Sequence, residues 1–308
     1  MKKLTKKKLK LENHVDTVNA VLESNILGPI PSIITSLFFK TFKNNVIYLP
    51  KHSRHSTKEL KELGVAEIKI KTKDRTRIST GLYVSESNPD APILIAFHGN
   101  GCSLLSHYRR MKPVIEDLNI HYYLISYRGF SGGRGHPDKP GMELDAVAGM
   151  DYLINHILGK KVSEKCQIFV HGASLGAAVA CFLASREEYR GLVKGVLMDV
   201  PFSSIELFLQ TEAPYSKDIA KYIVDGENWD NLKYFESIKA PVLMTGVLND
   251  NVCRFWNFER LMEKAKKEGI DLTTLICEEG KHDGALKIKK NYDAYVKIWG
   301  EFLESKSS

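Results

Sequence analysis

Eleven consecutive residues constrain this chain more than any others: Ile168-Phe169-Val170-His171-Gly172-Ala173-Ser174-Leu175-Gly176-Ala177-Ala178. The apolar run up to Val170 reads as a buried strand. Gly172-Ala173-Ser174-Leu175-Gly176 is a G-x-S-x-G turn, and the alanine-rich stretch up to Ala184 reads as a packed helix. Strand, sharp turn, helix is the setting in which G-x-S-x-G presents a nucleophilic serine. Glycine suits the flanking positions because a turn this tight leaves little room for Cβ atoms. The turn would lift Ser174 Oγ above the carboxyl edge of a sheet. It would also aim the N–H of Leu175, at the helix start, into the same space. The plain alternative is a tight strand-to-helix connection with a surface serine.

Serine chemistry needs three further parts: a base, a carboxylate that orients it, and donors for a developing oxyanion. Of the ten histidines, His282 alone follows Ser174. It sits in Glu278-Glu279-Gly280-Lys281-His282-Asp283-Gly284, after a predicted strand and before the last predicted helix. Asp250 follows the predicted strand 241–246 and is the natural acid, which makes the chain order Ser, Asp, His. Asn249 is an alternative occupant of the orienting position. Asp199, ending the predicted strand 193–200, is a third option. Leu175 N–H should be one oxyanion donor, and Asn100 N–H, in the loop His98-Gly99-Asn100-Gly101, the other. Arg128 reads most simply as a structural ion-pair residue. No metal or organic cofactor is required.

Strands and helices alternate along the rest of the chain. Strands are expected over 66–71, 77–85, 92–97, 121–126, 166–170, 193–200, 241–246 and 273–277. Helices are expected over 103–118, 142–158, 175–186, 256–267 and 287–303. That order predicts an α/β fold: a mostly parallel central sheet of about eight strands with helices on both faces. Residues 201–237 carry no clear strand and read as a short cap.

Charge is unevenly placed. Residues 1–73 hold 15 Lys+Arg against 6 Asp+Glu, a net +9, whereas residues 74–308 hold 29 against 31, a net −2. The body therefore lacks the footprint of a nucleic-acid-binding domain, and no nucleic-acid partner is expected. Residues 1–45 form a basic extension ahead of a body at 46–308. Within the extension, residues 24–39 carry no charge and are broken by Pro29 and Pro31. Sixteen residues fall short of the ~20 of a spanning helix, so an interfacial anchor on an anionic membrane is the leading expectation. Docking on the protein's own surface and a true span stay open. The five cysteines are odd in number and none has C-x-x-C spacing. That speaks against a disulfide framework or zinc site and for an intracellular, reducing setting.

Taken together, several stretches are similar to a known family. They are His98-Gly99-Asn100-Gly101; Tyr127-Arg128-Gly129-Phe130 with Gly132 and Gly135; Leu144-Asp145-Ala146; Tyr152-Leu153; Gly172–Gly176; Asp250; and Gly280–His282. The chain resembles the α/β-hydrolase superfamily and, within it, the membrane-anchored bud-emergence (Bem) type, over about residues 40–305. The resemblance implies a serine hydrolase with Ser174, Asp250 and His282 as its triad, acting on an ester or thioester. Lipid or acylated substrates at a membrane are suggested only by the possible anchor. Two departures stand out: Cys102 follows Asn100-Gly101, and Arg254 stands where the family carries proline after the acid. Acyl-protein thioesterase members carry an N-terminal cysteine cluster; the first cysteine here is Cys102, so an acylated anchor is not expected. A silent binding or scaffold protein on the same fold is the alternative from another function class.

Overall fold

The computed structural model describes residues 47–50, 57–212 and 217–306. The basic extension and its uncharged run 24–39 lie outside the described residues. Eight strands form one sheet: β1 (Val65–Lys71), β2 (Arg77–Tyr83), β3 (Ile93–Phe97), β4 (His121–Ile125), β5 (Ile168–Ala173), β6 (Val193–Asp199), β7 (Val242–Val247) and β8 (Leu272–Cys277). Their spatial order is β1-β2-β4-β3-β5-β6-β7-β8. β2 pairs antiparallel with both β1 and β4, and every other pairing is parallel. The predicted mostly parallel sheet is therefore what forms.

β3, β4 and β5 are buried along their whole lengths, which is why they read as unbroken apolar runs. The period-two alternation then divides their side chains between two cores. Ile93, Ile95, Phe97, Ile168 and Val170 enter one core, with α3 (Lys139–Tyr152) and α4 (Leu175–Ser185). Leu94, Ala96 and Phe169 enter the other, with α2 (Leu104–Asp117) and α9 (Lys289–Ser305). α1 is the short helix Thr57–Glu62 and α8 spans Trp256–Glu268.

Three differences from the sequence reading have local causes. α3 begins at Lys139 because the Asp138 carboxylate accepts the Gly141 N–H at 2.9 Å and Pro140 fits the first turn. The same helix stops at Tyr152 and passes into a π-helical turn, Leu153–Ile157. β5 runs to Ala173, three residues past the expected end, because pairing with β6 continues to Ala173↔Asp199. The expected cap region holds α5 (Ile205–Glu212), α6 (Lys217–Val224) and α7 (Asn231–Tyr234). Buried Trp229 ties it down: its indole N–H donates to Tyr48 Oη at 2.9 Å, and Tyr48 donates to Glu227 at 2.9 Å.

The loop after β4 is set by a buried charge pair. Arg128 donates through its backbone N–H, Nε and Nη2 to Asp145, whose side chain is 0% exposed. Its outer nitrogens reach Asp74 in the β1–β2 turn, with Nη1 to Oδ2 at 2.7 Å. Arg128 is thus a structural ion-pair residue. Replacing it by methionine strands the Asp145 carboxylate and should cost ~3–5 kcal/mol in urea denaturation. Adding Asp145→Leu should restore most of that loss; a single variant of wild-type stability would contradict the pairing.

Candidate active site

β5 delivers the chain to Ser174, whose backbone sits at φ +53°, ψ −113°. A non-glycine residue at positive φ is strained, and surrounding contacts must hold it there. Those contacts are visible. A Cβ on Gly172 would overlap the Gly176 carbonyl, and one on Gly176 would overlap the Phe97 carbonyl. The Ser174 N–H donates to the Asp199 carbonyl at 2.8 Å, and the Ala177 N–H returns to the Ser174 carbonyl at 3.0 Å. Leu175 opens α4, so its N–H belongs to the helix-start donors that have no intrahelical partner.

Two of the expected side chains meet. His282 Nδ1 lies 2.8 Å from Asp250 Oδ2, and both side chains are largely buried, at 9% and 2% exposure. A carboxylate only accepts, so Nδ1 carries the hydrogen and the neutral ring keeps its lone pair on Nε2. Asp250 is itself fixed, because its Oδ1 accepts the Val252 N–H at 2.8 Å and the Cys253 N–H at 2.9 Å. Asn249 points elsewhere, donating to the Glu278 carbonyl at 3.1 Å. Asp199 bonds His171 and Tyr295 rather than His282.

Ser174 Oγ makes no hydrogen bond among the described residues, so the third expected member is not bonded to the pair. His282 and Ala173, the neighbour of Ser174, line one cavity of about 40 Å³ with Asp199, Thr245 and Tyr295. Long or unmade catalytic hydrogen bonds are usual without substrate.

The expected donor loop lies against the elbow. A Cβ on Gly99 would come 3.2 Å from the Ala173 carbonyl and 3.7 Å from Ser174 Cβ. Asn100 follows it, and its side chain is occupied: Oδ1 accepts the Leu49 N–H and Nδ2 donates to the Ile47 carbonyl, each at 2.7 Å. Only the Asn100 backbone is left for an oxyanion. His98 anchors this loop from below. Its ring nitrogens meet the Gly99 carbonyl at 3.0 Å and Ser126 Oγ at 3.1 Å. Its ring packs on Tyr127, with centroids 4.6 Å apart. Burial holds the imidazole neutral, lowering its pKa to about 4.

A buried polar chain under the elbow was not foreseen. Arg110 reaches His107 Nδ1 at 3.5 Å, His107 Nε2 donates to Tyr122 Oη at 2.8 Å, and Tyr122 donates to His171 Nδ1 at 2.7 Å. His171 Nε2 and Tyr295 Oη both donate to Asp199 Oδ2, at 3.1 and 2.6 Å. Asp199 therefore holds the elbow with its backbone while five side chains hold Asp199 directly or in series. The visible signal was His171, a polar residue inside an apolar strand. His107, Tyr122 and Tyr295 join it only through tertiary contact. The five cysteines are free thiols, all but Cys102 buried. Among the described residues no His/Cys/Asp/Glu group is arranged to hold a metal ion.

Residues 139–307 match the model of the prolyl oligopeptidase family (Peptidase_S9). Protein bem46 of Schizosaccharomyces pombe is 25% identical over 241 residues, covering 76% of this chain and 78% of its own. The α/β-hydrolase domain-containing protein WAV2 of Arabidopsis thaliana is 22% identical, covering 78% of this chain and 81% of its own. An uncharacterized membrane protein of Saccharomyces cerevisiae is 28% identical, covering 48% of this chain and 50% of its own. Among solved structures, an esterase of Pyrococcus furiosus superposes with TM-score 0.65 at 18% identity, covering 84% of this chain and 100% of that one. An acylaminoacyl peptidase of Pyrococcus horikoshii gives TM-score 0.62 at 15% identity, covering 79% and 41%.

Two outcomes follow from the elbow and from His98. Gly176→Ala must push the Phe97 carbonyl aside and should destabilise by ~3 kcal/mol or more, checked by urea denaturation. His98 refuses a proton that the unfolded chain binds near pH 6.5. Stability is then complete above that pH and falls by up to ~1.4 kcal/mol per pH unit toward pH 4. His98→Asn should flatten that part of the acid dependence; an unchanged slope would exclude His98 as its source.

Proposed function

Starting from a chain that belongs to the prolyl oligopeptidase family of α/β hydrolases, we propose a serine hydrolase that cleaves a carboxylic ester or thioester through an acyl-enzyme. The observation that supports this reading is the 2.8 Å Asp250–His282 pair, together with a serine held at positive φ whose neighbour Ala173 lines the same cavity as His282. In the proposed cycle Ser174 Oγ attacks the substrate carbonyl carbon, and its proton passes to His282 Nε2. Asp250 keeps the Nδ1–H tautomer and offsets the imidazolium charge. The N–H groups of Leu175 and Asn100 receive the tetrahedral oxyanion. The leaving alcohol or thiol takes the proton from His282. A water, deprotonated by the same ring, then releases the acid and restores Ser174.

No step in that cycle calls for a metal or organic cofactor. A membrane setting is part of the proposal. The basic, partly apolar extension supports it, as does the yeast relative called a membrane protein. Among the described residues no helix is long and apolar enough to cross a membrane. Sixteen uncharged residues fall short of the ~20 of a spanning helix, so peripheral attachment through residues 24–39 is the arrangement proposed, with lipid or acylated molecules as substrates.

Wild type should be labelled by a fluorophosphonate probe and should hydrolyse p-nitrophenyl butyrate. Ser174→Ala should lose labelling, and Asp250→Asn should lower kcat by ~10²-fold or more with a smaller change in KM. Equal labelling of wild type and Ser174→Ala would remove the nucleophile. A folded wild type that neither labels nor turns over would favour the scaffold alternative.

A further inference from the structure

The β1–β2 turn and the loop after β4 form a concavity of about 490 Å³, lined by Lys71, Asp74, Arg75, Thr76, Arg77, Arg134 and Gly135. Lys71, Arg75, Arg77 and Arg134 are exposed, and none forms an ion pair with a described residue. The single carboxylate there, Asp74, is already taken by Arg128, which draws its pKa well below the usual range. Lys73, in the same turn, is exposed but lines a neighbouring depression with Asp151 and His156. The body, residues 46–308, holds 36 Lys+Arg against 34 Asp+Glu, and four of those cations gather unmatched in one hollow. Low-dielectric concave walls focus such a field outward.

The hollow is built rather than loose. Thr72 N–H and Oγ1 both donate to the Thr76 carbonyl, at 2.9 and 3.1 Å, and Thr72 Oγ1 also bonds Asp74. Arg75 N–H closes back on the Thr72 carbonyl at 2.9 Å. Gly135 packs on the turn, where a Cβ would lie 3.7 Å from Thr76 Cγ2.

Topology fixes which way it faces. β4 runs parallel to β3 and β5, and β2 runs antiparallel to β4, with Thr80 opposite Ile125. The first residue of β2, Arg77, therefore lies at the edge where β4 and β5 end, the edge that carries Ser174. Residues 47–49 are fastened to that edge too, through Asn100. The chain reaching them, residues 1–46, holds eight lysines against three acidic residues, along with the uncharged run 24–39.

We propose that this cation-lined hollow is a docking surface for anionic phospholipid headgroups, so that the edge bearing Ser174 faces a bilayer. The docking claim stands without turnover; its consequence for substrate choice rests on the hydrolase reading above. Cations at one end of the edge and the Asn100 clamp on residues 47–49, where the basic extension joins the body, both lie along that edge. A single flexible tether would leave the catalytic edge free to face away.

The test uses the full chain with phosphatidylcholine vesicles and with vesicles containing about 30 mol % phosphatidylserine, at matched ionic strength. Wild type should partition onto the anionic vesicles, and ~0.5 M NaCl should weaken that binding. Arg75→Glu/Arg77→Glu/Arg134→Glu should lower the partition coefficient on the order of 100-fold, from roughly fivefold per cation near such a surface. Lys160→Glu/Lys161→Glu/Lys165→Glu, an equal charge change near the opposite end of β5, should lower it far less. Near-UV circular dichroism establishes that both variants fold. Equal losses in the two variants would assign binding to net charge and overturn the proposal, as would no loss in the first. Displacement by ~10 mM inorganic phosphate, but not by chloride of equal ionic strength, would make the hollow a soluble-phosphate site and also overturn it. Fluorophosphonate labelling of the same samples reports on the hydrolase reading independently.

Discussion

The structure turns on a close approach of three backbones: the end of β3, the end of β5 and the first turn of α4. Gly176 lies against the Phe97 carbonyl and Gly172 against the Gly176 carbonyl, at separations that exclude any Cβ. This contact forces Ser174 to positive φ, and the 2.8 Å bond from its N–H to the Asp199 carbonyl keeps it there. A serine in an ordinary loop would relax into the β or α region and point its hydroxyl at random. Here the strain is held by the centre of an eight-stranded sheet.

Rigidity around that contact comes from buried polar groups that are mostly paired, although Asp199 Oδ1 has no partner among the described residues. Asp199 is held by Tyr295 and His171, and His171 is held in turn by Tyr122 and His107. On the other side, His98 braces the loop that carries Gly99 and Asn100. Buried polar chains of this kind are costly when incomplete, so they favour one arrangement over its near neighbours. The Asp250–His282 pair is organised alike, with two backbone N–H groups on Asp250 Oδ1 leaving Oδ2 for the imidazole. The proposed chemistry needs that preorganisation, because a ring free to rotate would present the wrong nitrogen to the serine.

The same edge of the sheet gathers the rest of what matters for the proposed role. Strand ends, the Asn100 clamp on residues 47–49 and the cationic hollow beside β2 all lie along it. Arg128 links them, since one guanidinium spans the fully buried Asp145 and the turn residue Asp74. Through that link the position of the hollow is tied to α3, and so to the core beneath the edge that carries Ser174.

Much of this was legible in the chain itself. The G-x-S-x-G turn between an apolar strand and an alanine-rich helix announced the elbow, and the alternation of strands and helices announced a mostly parallel sheet. Local patterns carry such information because burial on one or both faces imposes a period on the sequence. Which carboxylate meets His282 was a different matter. Asn249, Asp250 and Asp199 were all admissible by order, and only the fold turned Asn249 to the Glu278 carbonyl, buried Asp199 against His171, and set Asp250 beside the ring. The polar chain from Arg110 to Tyr295 and the gathering of Lys71, Arg77 and Arg134 in one hollow were equally invisible. Most of those partners, such as Tyr122 with His171 and Asp199 with Tyr295, are tens of residues apart, and nothing in local periodicity encodes which of them the fold will bring together.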